Sequence, residues 1–376
     1  MSPSASLRAA LHAAVEALED SGVPFALFGG AALPVWGRER GTRDADFIVP
    51  VTGDDEAERL VEAMRNAGFA HHRRADRRLL GELLVLHFWY PLRDVGLSLR
   101  VDLVFSAVES DAARILEEKF APRVPVVSTS SAFRYEDDVP IIVPGVNCDH
   151  AGLIKRQQRE RGWKGFVAPI PNCTTTGLVV GLAPLARTFG LRSAIVTSMQ
   201  ALSGAGRSPG VGAMDILDNI VPYIPKEEEK VQNETAKILG TLEGDRIVPL
   251  DIPVSATCTR VNVRDGHTLC VTASLGRPAR VDEVADAMRA FGREFVDLGL
   301  PSTPPEIIRV TDQPDRPQPR IDRGLNDGMT TVVGRIRKDP VLDNGVKWVL
   351  LSHNTKLGAA KGALSVAEYL LHTGLI

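Results

Sequence analysis

Hydrophobic and polar positions follow two alternating periods along the first third of the chain. Apolar side chains at 7, 11, 14, 15 and 18 recur at helical spacing, and residues 56–67 repeat that pattern. Short apolar runs, which are typical of buried strands, occupy 25–28, 44–49, 83–90 and 97–105. This part of the chain is therefore predicted to be an α/β segment, with helices packed on a sheet.

The same alternation continues into the middle of the chain. Residues 101–108 predict a strand, and Ser110 suits the N-cap of a helix whose apolar positions extend to residue 120. Residues 124–127 predict the strand that follows. Such a β-α-β unit is typical of a parallel, nucleotide-binding sheet.

Three patterns describe the C-terminal part. Residues 268–275 alternate as a strand does, and we expect Cys270 to lie in the core. The proline-rich stretch 301–319 predicts a long loop. Residues 358–371 predict a final helix, whose expected apolar face is made of Ala360, Leu364, Ala367 and Leu371.

Composition narrows the class of protein. The 376 residues are 44% hydrophobic and 24% charged, as in ordinary globular proteins of two or three domains. A net charge of −3 creates no basic field for nucleic acid or membranes. Four cysteines without a CxxC pair argue against a disulfide framework, and no apolar run reaches the roughly 20 residues that span a bilayer. We expect a cytoplasmic protein with neither membrane nor nucleic-acid partners.

One cysteine stands at a predicted turn between a strand and a helix. Pro169 and Pro171 keep the chain extended, and apolar residues at helical spacing follow Cys173. A thiol in the first helical turn faces unpaired N–H groups and the positive end of the helix dipole, which would lower its pKa from about 8.5 toward neutrality. The alternative is a small buried residue without chemistry.

The first hundred residues resemble the core of the nucleotidyltransferase superfamily. The matching positions are Gly29, Gly30, Asp44, Asp46 and Asp102. The resemblance implies a glycine turn that approaches a triphosphate and three carboxylates that hold Mg²⁺, so ATP with Mg²⁺ would be the ligand here. The alternatives are an edge strand with solvated acids and an inactive member of that superfamily.

From about residue 101 to residue 376 the chain resembles the archaeal and fungal aspartate-semialdehyde dehydrogenases. The motifs that match in order lie at 171–175, 199–206, 215–224, 227–230, 255–261, 265–267, 315–320 and 353–355. The resemblance implies a truncated Rossmann-like half and a C-terminal domain like that of glyceraldehyde-3-phosphate dehydrogenase. Residues 212–225 and 254–275 would belong to the mixed sheet of that domain, which usually forms a dimer interface.

The resemblance also implies an activity. An NADP-dependent enzyme would reversibly convert aspartate semialdehyde and phosphate into aspartyl phosphate through a cysteine thioester, on the route to lysine, threonine and methionine. It would be a homodimer or homotetramer that acts on a small molecule. A malonyl-CoA-type reductase of the same fold is an alternative substrate assignment.

Site residues follow from the same resemblance. The implied catalytic residues are Cys173 as nucleophile, His267 as an acid–base partner that titrates near neutrality, and Gln200. Substrate and phosphate would be bound by Arg260, Glu228, Lys230, Arg134 and Asn172. The cofactor would be bound by Ser106, Ser203, Gly204 and Asn354.

One expected motif is missing. The family begins with a Gly-x-x-Gly-x-x-Gly turn that takes the cofactor pyrophosphate on backbone amides, and no such spacing occurs in this sequence. We therefore predict a hybrid chain with a nucleotidyltransferase-like segment at 1–106, a remnant of the NADP-binding domain at 101–150, a catalytic and dimerisation domain at 151–355 and a C-terminal helix at 356–376. Three functions stay open: dehydrogenase, nucleotidyltransferase, and a non-catalytic interaction protein.

Overall fold

The computed structural model describes residues 13–18, 26–28, 44–48, 54–67, 69, 77–80, 83–92, 97–104, 110–205 and 213–376. The chain divides into two compact units, Met1–Glu118 and Lys119–Ile376. The finer boundaries predicted near residues 106, 150 and 355 stay predictions.

The first unit contains a five-stranded mixed sheet. Its elements are helix α1 (13–18), β1 (Ala26–Phe28), β2 (Asp44–Ile48), α2 (Asp54–Asn66), β3 (Arg77–Leu80), β4 (Leu83–Leu92), β5 (Leu97–Val104) and α3 (Ser110–Phe120), which ends just beyond the division. The strand order is β1-β2-β5-β4-β3, in which β2 and β5 run parallel and the other neighbours antiparallel. The apolar runs of the sequence thus become strands, with bounds within a few residues of those predicted.

The second unit carries the larger sheet and most helices. Its helices are α4 (Ile154–Arg161), α5 (Cys173–Phe189), α6 (Ala213–Ile216), α7 (Glu227–Ile238), α8 (Val281–Ala290), α9 (Arg293–Val296), α10 (Pro319–Asp322) and α11 (Lys361–His372). Its strands are β6 (Pro125–Ser128), β7 (Phe166–Pro169), β8 (Leu191–Gln200), β9 (Thr241–Glu243), β10 (Arg246–Val248), β11 (Val254–Arg260), β12 (His267–Leu275), β13 (Ile308–Thr311), β14 (Thr331–Lys338) and β15 (Gly345–Ser352). Short 3₁₀ turns span Cys148–Leu153, Leu202–Ala205 and Leu325–Gly328, and one π-turn spans Lys356–Ala360.

A six-stranded mixed sheet forms the centre of this unit. The strand order is β11-β8-β12-β15-β14-β13, with β11 parallel to β8 and β13 parallel to β14. Strand β13 lies inside the proline-rich stretch that was predicted to be a loop, because Ile308 and its neighbours pair with β14 at the edge of the sheet. Alternate residues of β8, β11 and β12 point into the core, while Ile195, Thr257 and other residues of the opposite face are exposed.

This alternation corrects the prediction for one cysteine. Leu269 and Val271 are buried, so Cys270 between them points to the other, exposed face. All four cysteines of the chain are described, and all are free thiols.

Helix α5 covers the buried face of the sheet because glycines on its surface allow close approach. A Cβ at Gly177 would lie 2.8 Å from the Cβ of Ser352, and one at Gly181 would lie 2.8 Å from Leu350 Cδ2. Both partners belong to β15, and the two glycines are one helical turn apart. The spacing of these glycines therefore sets the helix directly on β15 and aims its first turn at the end of that strand.

A smaller sheet lies beside this core. Strands β6 and β7 pair in parallel. The predicted β-α-β unit, with strands at 101–108 and 124–127, is wrong in its pairing, because β5 belongs to the five-stranded sheet of the first unit and β6 pairs with β7 instead. The C-terminal helix α11 packs on β7, where Val366 and Leu370 are buried among Phe166 and Ala168. The buried stripe of α11 thus differs from the predicted one, since Leu364 and Leu371 are only half-buried. Among the described residues, no helix combines the length and apolarity needed to cross a membrane.

Candidate active site

Four neighbouring strands bring polar side chains to one end of the six-stranded sheet. Gln200 ends β8 and Arg260 ends β11, and the two are register partners because these strands run parallel. His267 begins β12 opposite Ser352, the last residue of β15. Gln200, Arg260 and His267 are all buried, so Gln200 meets residues that lie 60 and 67 positions later in the sequence in one polar cluster.

Cys173 enters this cluster from the first turn of α5. Asn172 is the N-cap, and its Oδ1 accepts hydrogen bonds from the backbone N–H groups of Thr174 at 2.8 Å and Thr175 at 3.2 Å. The predicted helix start is therefore confirmed. Gly358 packs against the thiol-bearing residue, since an added Cβ there would lie 2.9 Å from Cys173 Cβ.

The thiol of Cys173 lies next to the imidazole of His267. The Sγ–Nε2 distance is 3.2 Å, and Nδ1 on the far side of the ring accepts a hydrogen bond from the N–H of Ala201 at 3.1 Å. A nitrogen that accepts from an amide carries no proton, so the neutral ring has its proton on Nε2. His267 is therefore oriented as a hydrogen-bond donor toward the sulfur.

Burial shifts the pKa values of Cys173 and His267 away from those expected from the sequence. Burial, together with the positive charges of Arg260 and His353, lowers the pKa of His267 to about 3. Burial and the carboxylate of Glu227 raise the pKa of Cys173 to about 12, and this exceeds what the helix terminus and nearby arginines contribute in the other direction. The sequence predicted a lowered pKa for the thiol and an imidazole that titrates near neutrality, and both predictions are wrong. The resting pair is a thiol and a neutral imidazole.

The carboxylate in the cluster belongs to Glu227 rather than to Glu228. Glu227 Oε1 accepts hydrogen bonds from Gln200 Nε2 at 3.1 Å and from Asn172 Nδ2 at 2.9 Å. Glu228 points elsewhere and accepts from the backbone N–H of Cys258 at 2.9 Å. Lys230 Nζ lies 3.9 Å from Glu227 Oε2, one helical turn along α7. The sequence contained one signal for Glu227: it lies three residues before Lys230, and residues three apart share a helix face.

Arg260 is held by the loop that follows β8. Its Nη1 donates to the carbonyl oxygen of Ala201 at 2.8 Å. Gly204 in the same loop is confined by its neighbours, since an added Cβ would lie 2.8 Å from Arg260 Nη1 and 2.9 Å from His267 Cε1. Glycine is therefore required here, and the position predicted to bind a cofactor lies against the arginine and the histidine.

Arg134 supplies a second buried guanidinium. It is 5% exposed, and its Nη1 forms an ion pair of 2.9 Å with Glu234, while Nη2 donates to the carbonyl of Thr129 at 2.8 Å. Its Nε is buried, and no described residue accepts a hydrogen bond from it. Its positive charge lowers the pKa of Cys173, which places the arginine within electrostatic reach of the thiol. A buried donor without an acceptor is costly, so it fits an anionic ligand.

Only some of the residues predicted to bind the cofactor lie together in the described structure. Asn354 Nδ2 donates to Ser203 Oγ at 2.9 Å, and Asn354 Oδ1 accepts from the N–H of Gly266 at 2.8 Å. One Nδ2 hydrogen remains for a carboxamide oxygen, so these residues fit the nicotinamide end of a dinucleotide. The described loop after β6, residues 129–147, contains one glycine, Gly145, and Ser106 lies outside the described residues. The described part therefore fits the nicotinamide but contains no glycine-rich pyrophosphate turn.

The three acidic residues predicted to hold Mg²⁺ belong to the first unit. Asp46 on β2 and Asp102 on β5 are register partners, and Asp44 pairs with Arg100 two positions earlier. The side chains of all three lie outside those that the structure describes, and among the described side chains no group of three or more His, Cys, Asp and Glu residues could hold a metal ion.

Comparison with known proteins agrees with this geometry. The dimerisation-domain model of semialdehyde dehydrogenases matches residues 182–357, and the NAD-binding-domain model matches residues 93–154. An aspartate-semialdehyde dehydrogenase of Archaeoglobus fulgidus is 47% identical over 276 residues, which are 73% of this chain and 78% of that protein. The enzyme of Saccharomyces cerevisiae is 45% identical over 291 residues, or 73% of this chain and 79% of that protein.

Solved structures lead to the same family. The crystal structure of aspartate semialdehyde dehydrogenase with NADP from Candida albicans matches with a TM-score of 0.64 at 42% identity, covering 73% of this chain and 78% of that chain. The thiol, imidazole, amide and guanidinium groups described above therefore lie on a fold shared with these enzymes, and the chain belongs to the aspartate-semialdehyde dehydrogenase family.

Proposed function

We propose that this protein is an NADP-dependent aspartate-semialdehyde dehydrogenase that interconverts aspartate semialdehyde plus phosphate and aspartyl phosphate in amino-acid biosynthesis, on the route to lysine, threonine and methionine. The observation that carries the proposal is the 3.2 Å contact between Cys173 Sγ and His267 Nε2, beside a buried Arg260. A cysteine nucleophile next to an imidazole and a carboxylate-binding arginine suits an aldehyde that bears a carboxylate.

Cys173 and His267 would perform the covalent steps. The sulfur attacks the aldehyde carbon as the C=O π bond opens, and the carbonyl oxygen gains negative charge and takes up the proton that the thiol releases, so a hemithioacetal forms. The Nε2–H of His267 donates a hydrogen bond to the developing charge, because the Ala201 amide keeps the proton on this nitrogen. Loss of a hydride from the hemithioacetal carbon and of the hydroxyl proton to water would leave a thioester on Cys173. Phosphate then attacks the thioester carbon, the carbon–sulfur bond breaks, and the sulfur takes a proton and becomes the thiol again as the acyl phosphate leaves.

The remaining groups would orient the reactants. Arg260 offers a planar pair of donors to the substrate carboxylate, and Gln200 and Glu227 form the wall beside it. Arg134, whose buried Nε has no acceptor among the described residues, and Lys230 would bind phosphate. Asn354 and Ser203 would hold the nicotinamide carboxamide. Bound NADP would supply the hydride acceptor for the oxidation of the hemithioacetal.

The activity assay distinguishes this reaction from its alternatives. We expect wild-type protein to form NADPH from aspartate semialdehyde and NADP only when inorganic phosphate is present. Coenzyme A in place of phosphate should give no product. A malonyl-CoA-type reductase would instead transfer the acyl group to coenzyme A and form its thioester. NADPH formation that does not depend on phosphate would contradict the proposal, and so would its complete absence at saturating NADP.

We further infer that two copies associate through the exposed face of the six-stranded sheet and that the protein works in the reducing cytoplasm, where Cys173 stays a free thiol. Ile195 on β8 is 47% exposed, and Leu217, Ile220 and Tyr223 are each about 60% exposed in the segment whose residue Val221 pairs with Arg260 at the end of β11. Apolar side chains grouped along one sheet face are typical of an interface. The dimerisation-domain match over residues 182–357, which includes this sheet, supports association of two copies.

Charge placed on this face is expected to separate the copies. Ile195→Asp combined with Tyr223→Asp would bury two carboxylates in an apolar contact, so the variant should sediment as a monomer at concentrations where the wild type is dimeric. Val341→Asp is the matched control, because Val341 is 84% exposed and lies away from this face. An unchanged mass of the double variant in analytical ultracentrifugation would exclude this surface.

A second candidate function, a Mg²⁺-dependent nucleotidyltransferase, would belong to the first unit. It is favoured by the strand register, because Asp46 and Asp102 are partners on parallel neighbouring strands and Asp44 lies two positions before Asp46. Partners in register lie on the same face of a sheet, as a shared metal site requires. With labelled ATP and Mg²⁺ we expect Asp46→Asn to lose label transfer that Cys173→Ala retains. A wild type that transfers no label would eliminate this function.

A further inference from the structure

Helix α7 presents four charged side chains along one side. Glu227, Lys230, Glu234 and Lys237 follow each other at intervals of three or four residues, which is the spacing of a single helix face. The first two lie at the cluster already described. Glu234 is fully buried, yet the proposed reaction assigns it no role.

The carboxylate of Glu234 joins two separate parts of the site. Its Oε1 accepts from Arg134 Nη1 at 2.9 Å, and its Oε2 accepts from the backbone N–H of Asn172 at 2.7 Å. Asn172 immediately precedes Cys173. Both oxygens are therefore occupied: Oε1 by Arg134 and, at 3.4 Å, by the hydroxyl of Tyr135, and Oε2 by the backbone that carries the nucleophile.

Lys237 ties the same loop to α7 from the next turn of the helix. Its Nζ donates to the carbonyl oxygens of Arg134 at 2.8 Å and Glu136 at 2.7 Å. The loop that carries Arg134 is thus attached to α7 through a side chain and through its backbone. Such double attachment restricts the arginine to one position relative to the helix.

Electrostatics make Glu234 specific to this arrangement. A buried carboxylate is stable only when it is paired and hydrogen-bonded, and here Arg134 and the Asn172 amide meet that need. The guanidinium has two of its three nitrogens engaged, by Glu234 and Thr129, which leaves the buried Nε as the donor without an acceptor among the described residues. The pairing therefore leaves Nε for an incoming anion.

We propose that Glu234 is a positioning residue that holds Arg134 at a set distance from Cys173, so that the free Nε of the arginine binds the phosphate that attacks the thioester. The proposal rests on the phosphorylating reaction proposed above. Glu234 touches neither the substrate nor the sulfur; it acts through Arg134 and through the backbone of Asn172.

Kinetics separate positioning from general stability. In Glu234→Gln the new NH₂ group faces one of the N–H donors that the carboxylate accepted, so two donors meet. The KM for phosphate should therefore rise roughly ten- to hundredfold, which is the range that the loss of a charged hydrogen bond supports. The KM for the aldehyde should stay within about twofold, because Arg260 is held by Ala201 instead. Glu234→Asp, which keeps the charge but shortens the reach, should give an intermediate KM for phosphate and covers the case in which the glutamine variant does not fold.

Asp322→Asn is the matched control. Asp322 is a carboxylate of similar burial whose hydrogen bonds run to Arg316 and to the N–H of Gln318, outside the loop that carries Arg134. This variant should lose stability without a change in the KM for phosphate. Equal rises in both Michaelis constants of folded Glu234→Asp would show a merely structural role and would overturn the proposal.

Calorimetric titration with inorganic phosphate tests the positioning without turnover. The wild type should bind phosphate, Glu234→Gln should bind it at least tenfold more weakly, and Glu234→Asp should lie between the two. If the affinities follow this order but the wild type forms no acyl phosphate, the proposed function fails and the role of Glu234 in phosphate binding stands. If the glutamate variants bind phosphate as tightly as the wild type, or the wild type binds none, the role of Glu234 is overturned.

Discussion

Replacing Cys173 by alanine is expected to reduce phosphate-dependent NADPH formation by roughly 10⁴-fold or more, because the thioester can no longer form and the remaining groups act only by binding and orientation. The substrate carboxylate still meets Arg260, so the KM for the aldehyde should change far less than kcat. Stopped-time assays of purified wild type and variant at saturating NADP would measure both constants.

Cys270→Ser is the control for this variant, since Cys270 is an exposed thiol on the opposite face of the sheet. It should keep wild-type turnover. Mass spectrometry after incubation with the aldehyde and NADP, without phosphate, should find the acyl group on Cys173 alone. Retention of more than a few per cent of activity in Cys173→Ala would show that the reaction does not pass through this sulfur.

His267→Leu is expected to lower kcat by about 10²–10³-fold, the cost of losing one hydrogen-bond donor to a developing negative charge. The Ala201 amide fixes the proton on Nε2, and burial lowers the pKa of His267 to about 3. The imidazole is therefore neutral throughout the physiological range, and we expect it to act as a donor rather than as a base.

His267→Gln distinguishes the donor from the base. The glutamine amide N–H can replace Nε2–H, so this variant should retain at least tenfold more activity than His267→Leu. The wild-type rate should show no inflection near pH 6.5, the ordinary pKa of histidine. Equal losses in the two variants, or an inflection near pH 6.5 that disappears in both, would mean that His267 acts as a base.

The same burial predicts how stability depends on pH. The pKa of His267 is lowered in the folded protein, so the unfolded chain binds more protons between the folded and the unfolded pKa values. Its contribution to stability is complete above about pH 6.5 and is lost as pH falls toward 3. Burial lowers the pKa values of His150 and His353 in the same direction. Acidification therefore acts in two ways: it lowers the stability of the folded protein, and it removes the neutral imidazole that the proposed reaction requires.

Motif reasoning recovered most of the candidate site and missed one carboxylate. Cys173, Gln200, Arg260 and His267 meet at one end of the sheet, as their motifs imply. Glu227 was missed in favour of Glu228 because three consecutive glutamates look alike in sequence, and only the orientation of α7 decides which one faces Gln200.

The ionisation of the nucleophile could not be predicted from its local sequence. A helix N-terminus stabilises a thiolate by a modest amount, whereas burial of the sulfur and the Glu227 carboxylate act in the opposite direction and dominate. Both opposing contributions come from groups that only tertiary contacts bring near Cys173. The buried face of α11 could not be predicted from the sequence either, since both faces of this helix are apolar enough to be buried.

The sequence by itself determined most of the N-terminal strands, the helix start at Cys173 and the family, because these depend on local periodicity and on residue types at fixed spacing, but it missed strand β13 in the proline-rich stretch. Tertiary structure alone decided which side chains meet. The register of β8, β11 and β12 brings Gln200, Arg260 and His267 together, and Gly177 and Gly181 let α5 approach the sheet closely enough to deliver the thiol. Contacts of this kind depend on distances between segments far apart in the chain, which no local pattern encodes.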